Sequence, residues 1–361
     1  MGCIALSKTP HMNTPRKAVA LISGGLDSML AAKVMLEQGI HVEGINFFTG
    51  FCVEGHTHAI RNKDQEKKEK KRNNALWTAE QLGIKLHIID IIEPYKDVVL
   101  NPKHGYGANL NPCLDCKIFM VREAHKWMIE NNFDFIITGE VVGQRPKSQR
   151  KETMPIVQKE SGIQDLLLRP LCASNLPETL PEREGWVNRE KLLDFHGRNR
   201  KPQMALAKDF GFKDYAQPAG GCCFLTDANY SSKLQDMWNH RPSRDYTLDD
   251  IILLKVGRHI RPHENFKLIV ARDAGETRYL GGYKKQFKHL IMRSHSGPLT
   301  LIEGDDLSTE DIQLAAAIAA RYGQGRDTDE VEFEYTNPHK EGFQFSVKPL
   351  SAGEIKPAWL V

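Results

Sequence analysis

One stretch near the start of the chain, AVALISGGLDSMLAAKVMLEQG, constrains the fold most strongly. Ala18–Ile22 is short and apolar, as a buried strand of a parallel sheet is. Met29–Leu36 is a run of good helix formers, and Gly39 suits the C′ position after it. We expect Asp27 and Ser28 to cap this helix. A strand, a glycine turn and a helix N-terminus in this order direct backbone N–H groups and the helix dipole at an anion.

The turn itself, SGGLDS, indicates that the anion is a phosphate. It is neither a Walker loop, because no Gly-Lys-Ser/Thr follows, nor a dinucleotide fingerprint, because the third glycine is missing. Gly24 and Gly25 let the backbone approach a phosphate and adopt positive φ. Ser23 and Ser28 can donate hydroxyl hydrogen bonds to it, and Asp27 could hold Mg²⁺ beside it. The alternative is an ordinary turn capped by Asp27, but the hexapeptide directly follows a predicted strand, which favours phosphate.

Strand and helix patterns alternate beyond this first unit. They predict an α/β fold with a doubly wound parallel sheet, in which ligands bind at the carboxyl ends of the strands. Both SGGLDS and a second motif, TGEVVGQ, fall at such ends. Further strands are predicted at His41–Phe48, Lys85–Asp90 and Asp134–Thr138, and helices at Arg61–Gly83, Cys116–Asn131 and Lys201–Phe212.

Changes in pattern divide the chain into four expected segments. An N-terminal extension (1–17) precedes the loop-bearing α/β domain (18–172). A polar connecting region (173–244) is expected to return the motif QPAGGCCFLTD to the first domain. The last segment (245–361) is expected to be a second, smaller α+β domain, with strands in IILLKVGRHIR, FKLIVARD, PLTLIEGDD and DEVEFEYT and one helix at Thr309–Ala320.

Bulk properties exclude several classes of protein. The chain has 361 residues and a net charge of only +3, so any nucleic-acid surface must be local. No apolar run approaches the length of a membrane span, and the first residues lack the apolar core of a signal peptide. We therefore expect a cytoplasmic protein with no membrane partner. Seven cysteines in such a chain indicate thiol or metal chemistry rather than a disulfide framework.

Two cysteine motifs are candidates for that chemistry. NPCLDCK places Cys113 and Cys116 at a predicted helix start, which favours the thiolate, and Cys222 and Cys223 follow PAGG. Three hypotheses stay open: a structural zinc site, a thiol pair that carries a persulfide and resolves by disulfide formation, and a [4Fe–4S] cluster on three cysteines. The alternative is that these are inert small hydrophobes. The remaining cysteines are expected to be structural: Cys3, Cys52 and Cys172.

Taken together, SGGLDS, NPCLDCK and TGEVVGQRPKSQ resemble the tRNA thiolation branch of the ATP-pyrophosphatase superfamily, over roughly Ala18–Asp227. TGEVVGQ is most similar to the motif of tRNA 4-thiouridine synthetases, and NPCLDC with a later cysteine is similar to tRNA 2-thiouridylases. LLKVGRHIR and FKLIVAR resemble a small domain appended to such proteins and to some RNA-binding factors. The resemblance implies a pyrophosphate-loop fold, ATP, Mg²⁺, a probable [4Fe–4S] cluster, tRNA, and a sulfur donor that is free sulfide or a persulfide carrier.

The implied activity is ATP-dependent tRNA sulfur transfer, in which a uridine carbonyl is adenylated and its oxygen is replaced by sulfur, giving 4-thiouridine or 2-thiouridine. The implied ATP-binding residues are Ser23, Gly24, Gly25, Asp27, Ser28, Gly139 and Gln144. The implied catalytic residues are Cys113, Cys116, Cys222, Cys223 and Asp27. The implied metal ligands are Cys113, Cys116 and one of Cys222 and Cys223.

RNA contact is expected from basic side chains. Lys63–Arg72 is strongly basic, although it also fits a solvated helix with ion pairs between neighbouring turns. The 4-thiouridine synthetases carry an RNA-binding region before the loop, whereas only a short segment precedes Ser23 here, so we expect tRNA capture from elsewhere. Two other functions stay open: a synthetase or amidotransferase that adenylates a small molecule, and a non-enzymatic RNA-binding factor. The RNA-binding candidates are Arg145, Lys147, Arg150 and Lys151, with Arg258 and Arg261 near the C-terminus.

Overall fold

A computed structural model of the protein describes residues 15–52, 73–216 and 223–361. The chain divides into two compact units. The described residues of the N-terminal unit are 15–47, 73–90 and 113–216, and those of the C-terminal unit are 48–52, 91–112 and 223–361. One unit contains a parallel sheet and the other an antiparallel sheet, so the predicted α/β fold with a separate α+β portion is confirmed.

Five strands form the sheet of the N-terminal unit, and the predicted strands there are confirmed. The pairs β1–β2, β1–β4 and β4–β5 are parallel, and the sheet order is β3-β2-β1-β4-β5. The chain order therefore reverses beside β1, and such a reversal opens a crevice between the carboxyl ends of two neighbouring strands, here β1 and β4. The strands are β1 (Lys17–Leu21), β2 (His41–Phe48), β3 (Leu86–Asp90), β4 (Phe135–Ile137) and β5 (Leu167–Leu168).

The core of this unit lies between the sheet and its helices. Leu30, Ala31 and Ala32 are almost completely buried because the helix that carries them packs into this core. The helices of the unit are α1 (Leu26–Leu36), α2 (Asn74–Leu82), α4 (Cys113–Glu130), α5 (Met154–Ser161), α6 (Leu180–Arg183) and α7 (Lys201–Asp209), with short 3₁₀ turns at Gln164–Leu166, Ala173–Asn175 and Arg189–Lys191.

The start of α1 corrects one expectation. Asp27 and Ser28 were expected to cap the helix, but they lie in its first turn, and the N-cap is Gly25. The Ser28 hydroxyl donates to the carbonyl oxygen of Gly25 at 2.8 Å instead of accepting from a helix N–H. Within the described residues, no side chain caps this helix, so its first N–H groups are left to another acceptor.

The long charged helix expected at Arg61–Gly83 is described only over its second half. α2 begins after Asn73, whose side chain accepts from the N–H groups of Ala75 and Leu76. It ends at Gly83, which adopts a left-handed conformation with φ +65°. The basic stretch Lys63–Arg72 lies outside the described residues.

The C-terminal unit contains a six-stranded antiparallel sheet in the order β11-β10-β8-β9-β7-β6. Its core packs one face of this sheet against a helix rich in alanine, Thr309–Ala320. The strands are β6 (Arg258–His263), β7 (Phe266–Val270), β8 (Lys288–Met292), β9 (Thr300–Glu303), β10 (Val331–Asn337) and β11 (Lys340–Val347). The helices are α3 (Ile92–Leu100), α8 (Ala228–Asn239), α9 (Leu248–Leu253), α10 (Ala274–Gly281) and α11 (Thr309–Ala320), with 3₁₀ turns at Phe224–Thr226, Ala352–Glu354 and Pro357–Trp359.

The expectation of a single helix beyond residue 245 is wrong. The stretch IILLKVGRHIR was expected to be a strand, but its first residues belong to α9, which begins with a capping box between Thr247 and Asp250. A second missed helix, α10, is capped by Asp273. Local capping thus decided the structure of apolar runs that periodicity left ambiguous. No helix in the described part of the chain has the length and apolar character that a membrane span requires.

Candidate active site

The two motifs expected at the carboxyl ends of strands lie side by side in the structure. SGGLDS follows β1 and TGEVVGQ follows β4, and these strands are adjacent and parallel, with Ala18 paired to Phe135 and Ala20 to Ile137. The parallel register brings the two motifs to the same edge of the sheet. This arrangement confirms that both motifs follow the carboxyl ends of strands, and it places them where the strand order reverses.

The first loop is held by its own serines. Gly24 has φ +79°, a conformation that favours glycine, and Gly25 is extended at the start of α1. The hydroxyls of Ser23 and Ser28 lie 3.4 Å apart, and the N–H of Gly25 points to Ser23 Oγ at the same distance. The loop therefore places the backbone N–H donors at the uncapped N-terminus of α1 beside two hydroxyls, of which that of Ser28 donates to Gly25.

Gly139 allows the second motif to touch the first. A Cβ atom at this position would lie 2.4 Å from the carbonyl carbon of Asp27 and 2.5 Å from the backbone nitrogen of Ser28. Backbone atoms cannot yield to such a contact, so any larger residue would force the two motifs apart. The glycine is thus required for close approach and not for an unusual φ.

Asp27 lies at the centre of the contact between the motifs. Its Oδ2 accepts from Gln144 Nε2 at 2.7 Å and is 3.1 Å from the guanidinium of Arg200. Its Oδ1 is buried and has no hydrogen-bond partner among the described residues. Burial raises the pKa of Asp27, and the opposing effects of Arg200, Gln144 and Arg145 do not outweigh it. A carboxylate oxygen in this state is suited to a cation.

Arg200 and Gln203 are site residues that the sequence analysis missed. Gln203 is almost fully buried, and its Nε2 donates to Gln144 Oε1 at 3.0 Å, which orients the amide that bonds Asp27. Both lie at the start of α7 or immediately before it, far along the chain from either motif. The helix was predicted, but no local pattern distinguishes these two side chains from solvated ones, so only the fold identifies them.

The cysteine pair begins a helix, which starts three residues earlier than the predicted start at Cys116. α4 starts at Cys113, and the thiol of Cys113 donates to the buried hydroxyl of Ser148 at 3.2 Å. Ser148 belongs to the extension of the second motif, TGEVVGQRPKSQ. Both Cys113 and Cys116 are partly exposed. The structure therefore brings the first cysteine motif to the second nucleotide motif.

A buried carboxylate, Glu140, fixes this arrangement. It accepts from Thr138 Oγ1 at 3.0 Å and from Arg169 Nε at 3.1 Å, and Lys117 Nζ lies 3.9 Å from its other oxygen. Burial alone would raise the pKa of Glu140, but the charges of Lys117 and Arg169 hold it below its ordinary value. Lys117 thus ties the helix that carries Cys116 to the strand-end motif.

The other cysteines differ in environment. Cys172 is fully buried, and burial raises the pKa of its thiol to about 11, which agrees with the expected structural role. Cys3 and Cys222 lie outside the described residues. In the C-terminal unit, Cys223 pairs with Cys52 across an isolated antiparallel β-bridge, so Cys52, which was expected to be structural, lies opposite one of the motif cysteines.

The basic candidates fall into two groups. Arg145 and Lys147 are half-buried, while Arg150 and Lys151 are exposed on the same extension of the second motif. In the C-terminal unit, Arg261 bonds Asp236 at 2.7 and 3.0 Å. Arg258 stacks over the ring of Tyr322 at 4.9 Å.

Sequence comparison identifies the first part of the chain. The family described as thiamine biosynthesis protein (ThiI) matches residues 13–178. These residues are therefore similar to that family. The matched segment contains SGGLDS, the pair Cys113 and Cys116, and TGEVVGQ, so the resemblance based on those motifs is confirmed. A second family, described as NFACT protein RNA binding domain, matches residues 257–360.

The individual relatives have low sequence identity to this chain. The chain is 24% identical over 262 residues to the tRNA-specific 2-thiouridylase MnmA of Mesoplasma florum, covering 68% of this chain and 64% of that protein. It is 27% identical over 165 residues to a probable tRNA sulfurtransferase of Finegoldia magna, covering 45% and 38%. The chain thus spans less than two thirds of the length of either relative. A solved complex of a 4-thiouridine synthetase with RNA and ATP matches with a TM-score of 0.38 and 19% identity, over 66% of this chain and 52% of that one.

Proposed function

We propose that the protein is an ATP-dependent tRNA sulfurtransferase of the cytoplasm. The observation that carries this proposal is the double attachment of the second motif. Gln144 bonds Asp27 of the phosphate-type loop, and Ser148 accepts from the thiol of Cys113. A nucleotide site and a reactive sulfur atom are therefore fixed by one short segment, which suits a reaction that couples ATP cleavage to sulfur transfer.

The proposed reaction begins with activation of a uridine. Its carbonyl oxygen is a poor leaving group, whereas the same oxygen in an adenylate leaves as part of AMP. Ser23, Ser28 and the N-terminus of α1 would hold the departing pyrophosphate, and the half-buried Arg145 would add positive charge nearby. The outer sulfur of a persulfide on Cys113, which a persulfide donor would load, then displaces AMP. Attack of the Cys116 thiolate on Cys113 Sγ would break the S–S bond, release the sulfur with the uridine and leave a Cys113–Cys116 disulfide, which a dithiol reductant restores.

Mg²⁺ fits the Asp27 site. The buried Oδ1 atom of Asp27 has no hydrogen-bond partner among the described residues, and a carboxylate oxygen is the ligand that this ion prefers. When bound there, the ion would neutralise negative charge on the pyrophosphate. Gln144 and Arg200 fix the other oxygen and so orient the carboxylate.

The iron–sulfur cluster stays a prediction, because one of its candidate ligands lies outside the described residues. Within 15–52, 73–216 and 223–361, no three side chains of His, Cys, Asp or Glu come together as a metal site. Cys113 and Cys116 supply two cysteines, and Cys222 lies outside the described residues. No step above depends on a cluster, and a persulfide on cysteine is the carrier we propose. Iron and acid-labile sulfide measured in anaerobically purified protein distinguish the two carriers.

tRNA is the proposed partner. The match of residues 257–360 to an RNA-binding domain supports RNA contact by the C-terminal part, and exposed Arg150 and Lys151 would meet phosphates near the site. Among the other basic candidates, Arg261 is engaged by Asp236 and is the weakest. The proposed sulfur donor is a persulfide carrier or free sulfide, and the predicted boundaries at residues 17, 172 and 244 stay predictions.

The coupling of the two chemistries tests this proposal. AMP and pyrophosphate release is measured with ATP and tRNA, with and without sulfide, in the full chain and in Cys113→Ala. We expect ATP cleavage to require tRNA, and Cys113→Ala to cleave ATP without forming a thiolated nucleoside. AMP release that needs a small-molecule acceptor and ammonia, but no tRNA, would favour the synthetase alternative. RNA binding without ATP cleavage would favour a binding factor.

A further inference from the structure

The last residue of TGEVVGQRPKSQ, Gln149, carries a buried amide that none of the interactions described above uses. Its side chain is 6% exposed, and its Oε1 atom has no hydrogen-bond partner among the described residues. Buried amide oxygens in folded proteins are almost always hydrogen-bonded. An exception beside a candidate active site therefore indicates an acceptor for a donor group on a ligand.

The backbone fixes the position of Gln149. Its carbonyl oxygen accepts from the N–H of Gly143 at 2.6 Å, and its own N–H donates to the carbonyl oxygen of Arg145 at 3.3 Å. These two bonds close residues 143–149 into a tight loop. Residues at the beginning and at the end of this loop therefore act at one place.

The loop neighbours of Gln149 contact the two reacting parts of the site. Gln144, at the beginning of the loop, donates to Asp27 at 2.7 Å. Ser148, which directly precedes Gln149, accepts from the thiol of Cys113 at 3.2 Å. The unpaired amide oxygen thus belongs to a segment that lies between the phosphate-type loop and the candidate sulfur carrier.

The proposed reaction requires a uridine in this place. The carbonyl oxygen of the base must reach the α-phosphate of ATP, and the carbonyl carbon must then reach sulfur. The uracil ring of a uridine carries one N–H, at N3, between its two carbonyl groups, whereas cytosine carries a lone pair at N3. An amide oxygen only accepts hydrogen bonds, so it attracts the N3–H of uracil and repels the N3 of cytosine. Proteins commonly recognise an unstacked base by such bonds to its Watson–Crick edge.

We propose that Gln149 is the residue that selects the target uracil, with its Oε1 atom accepting from the N3–H of the base. This inference rests on the proposed function, because it names the group that recognises the substrate of that reaction. It holds for either carbonyl position, since N3 lies between the two. The adenine of ATP offers a similar donor, its 6-amino group, and the affinity for ATP distinguishes the two bases.

Two replacements of similar shape separate recognition from packing. Gln149→Glu keeps an acceptor oxygen at the same position, whereas Gln149→Met keeps the length of the side chain and has no acceptor. If the side chain only filled space, the buried carboxyl group would be the harmful change and methionine would be tolerated. Recognition of the N3–H predicts the reverse order. We expect kcat/KM for tRNA to fall roughly 10- to 100-fold in Gln149→Met and by no more than about threefold in Gln149→Glu.

The assay uses the full chain with an unmodified tRNA transcript, saturating ATP, Mg²⁺ and inorganic polysulfide. Thiolated nucleosides and AMP are measured at several tRNA concentrations. The matched control is Gln81→Met, which loses only an exposed bond to the backbone of Asp214. We expect KM for ATP, Kd for tRNA and the denaturation midpoint of Gln149→Met to equal those of the control, because the variant loses only one bond to the base.

Three results would overturn the assignment of Gln149. The first is an equal kcat/KM for tRNA in Gln149→Met and Gln81→Met. The second is a larger loss in Gln149→Glu than in Gln149→Met, which would indicate packing. The third is a raised KM for ATP with an unchanged kcat/KM for tRNA, which would assign the amide to adenine. A wild type that thiolates no tRNA contradicts the proposed function and this inference with it, whereas thiolation that Gln149→Met fully retains contradicts this inference alone.

Discussion

Two buried carboxylates at one edge of the parallel sheet, Asp27 and Glu140, have opposite environments. Thr138 and Arg169 bond Glu140, and Lys117 lies within ion-pair distance, so its pKa is held below the ordinary value despite burial. Asp27 has one satisfied oxygen and one buried oxygen without a hydrogen-bond partner among the described residues, and burial raises its pKa. Glu140 Oε1 likewise has no hydrogen-bond partner among the described residues, but Lys117 lies 3.9 Å from it, so Glu140 has a cation at each oxygen. Asp27 has Arg200 at Oδ2, and a bound ligand could place a cation at Oδ1.

The largest loss of stability is expected when Glu140 loses its charge. Glu140→Gln leaves the buried guanidinium of Arg169 without its counter-charge, and removing one partner of a buried pair costs about 3–5 kcal/mol of unfolding free energy. Urea denaturation measures this loss. Glu152→Gln at an exposed position is the control and should stay within about 0.5 kcal/mol of the wild type. Equal stability of Glu140→Gln and the control would contradict a structural role for Glu140.

Asp27→Asn should show the reverse pattern. The amide keeps the shape but cannot hold a cation, so ATP cleavage should fall roughly 100-fold, as it does when one charge-stabilising group is lost. Stability should not fall by more than about 1 kcal/mol, because the variant removes a carboxylate whose charge burial disfavours. Asp194→Asn, at an exposed site, is the control for activity. Retained ATP cleavage in Asp27→Asn would show that the carboxylate is not part of the nucleotide site.

The contact between the two motifs can be opened by one methyl group. Gly139→Ala places a Cβ 2.4 Å from the backbone of Asp27, and such overpacking costs about 1–3 kcal/mol. At Gly25 an added Cβ would meet Ser23 Oγ at 3.5 Å, an ordinary contact, so Gly25→Ala should cost less. Thermal denaturation compares the two variants. A smaller loss in Gly139→Ala than in Gly25→Ala would refute the close approach.

A weaker effect is expected at Arg200. Arg200→Met removes a charged partner of Asp27 Oδ2, and such a hydrogen bond is worth about 1.5 kcal/mol, or roughly tenfold in KM for ATP. Arg198→Met, at an exposed position nearby in the chain, should leave KM unchanged. Kinetics of pyrophosphate release measure both. Equal KM values in the two variants would remove Arg200 from the site.

The smallest expected effects are on the pH dependence of stability, which also distinguishes the environments of Glu140 and Asp27. Because the pKa of Glu140 is lowered on folding, its contribution is present above the ordinary carboxyl pKa and is lost as pH falls through the folded value. Because the pKa of Asp27 is raised, its ionisation lowers stability as pH rises from the ordinary value through the folded one. As pH rises through the acidic range, the wild type should therefore gain stability relative to Glu140→Gln and lose stability relative to Asp27→Asn. Denaturation midpoints of all three proteins measure these differences. The same direction in both would contradict the assigned environments.

Local sequence was sufficient for much of this edge of the sheet. The apolar run before SGGLDS predicted β1, the bounds of β2 were predicted as observed, and both motifs fell at strand ends. The strand β5 was missed because two residues carry no periodicity, yet it positions Arg169. Short helices with their own caps, such as α9, were misassigned for the same reason.

What the sequence could not supply were partners that are distant along the chain. Gln203 reaches Gln144 across 59 positions, and Cys223 meets Cys52 across an isolated bridge. Glu140 lies within the second motif, but its role could not be predicted because it depends on Arg169 and Lys117, which only the fold brings to it. Motifs indicate where chemistry occurs, and tertiary structure decides which neighbours support it.

The most direct test of the central claim is the nucleoside content of tRNA incubated with the full chain, ATP, Mg²⁺ and inorganic polysulfide. Mass spectrometry of digested tRNA should show 4-thiouridine or a 2-thio nucleoside with the wild type. Asp27→Asn and Cys113→Ala should form none, and Asp194→Asn should match the wild type. An unmodified spectrum with the wild type, or equal thiolation by Cys113→Ala, would contradict the assignment of ATP-dependent tRNA thiolation to this sheet edge.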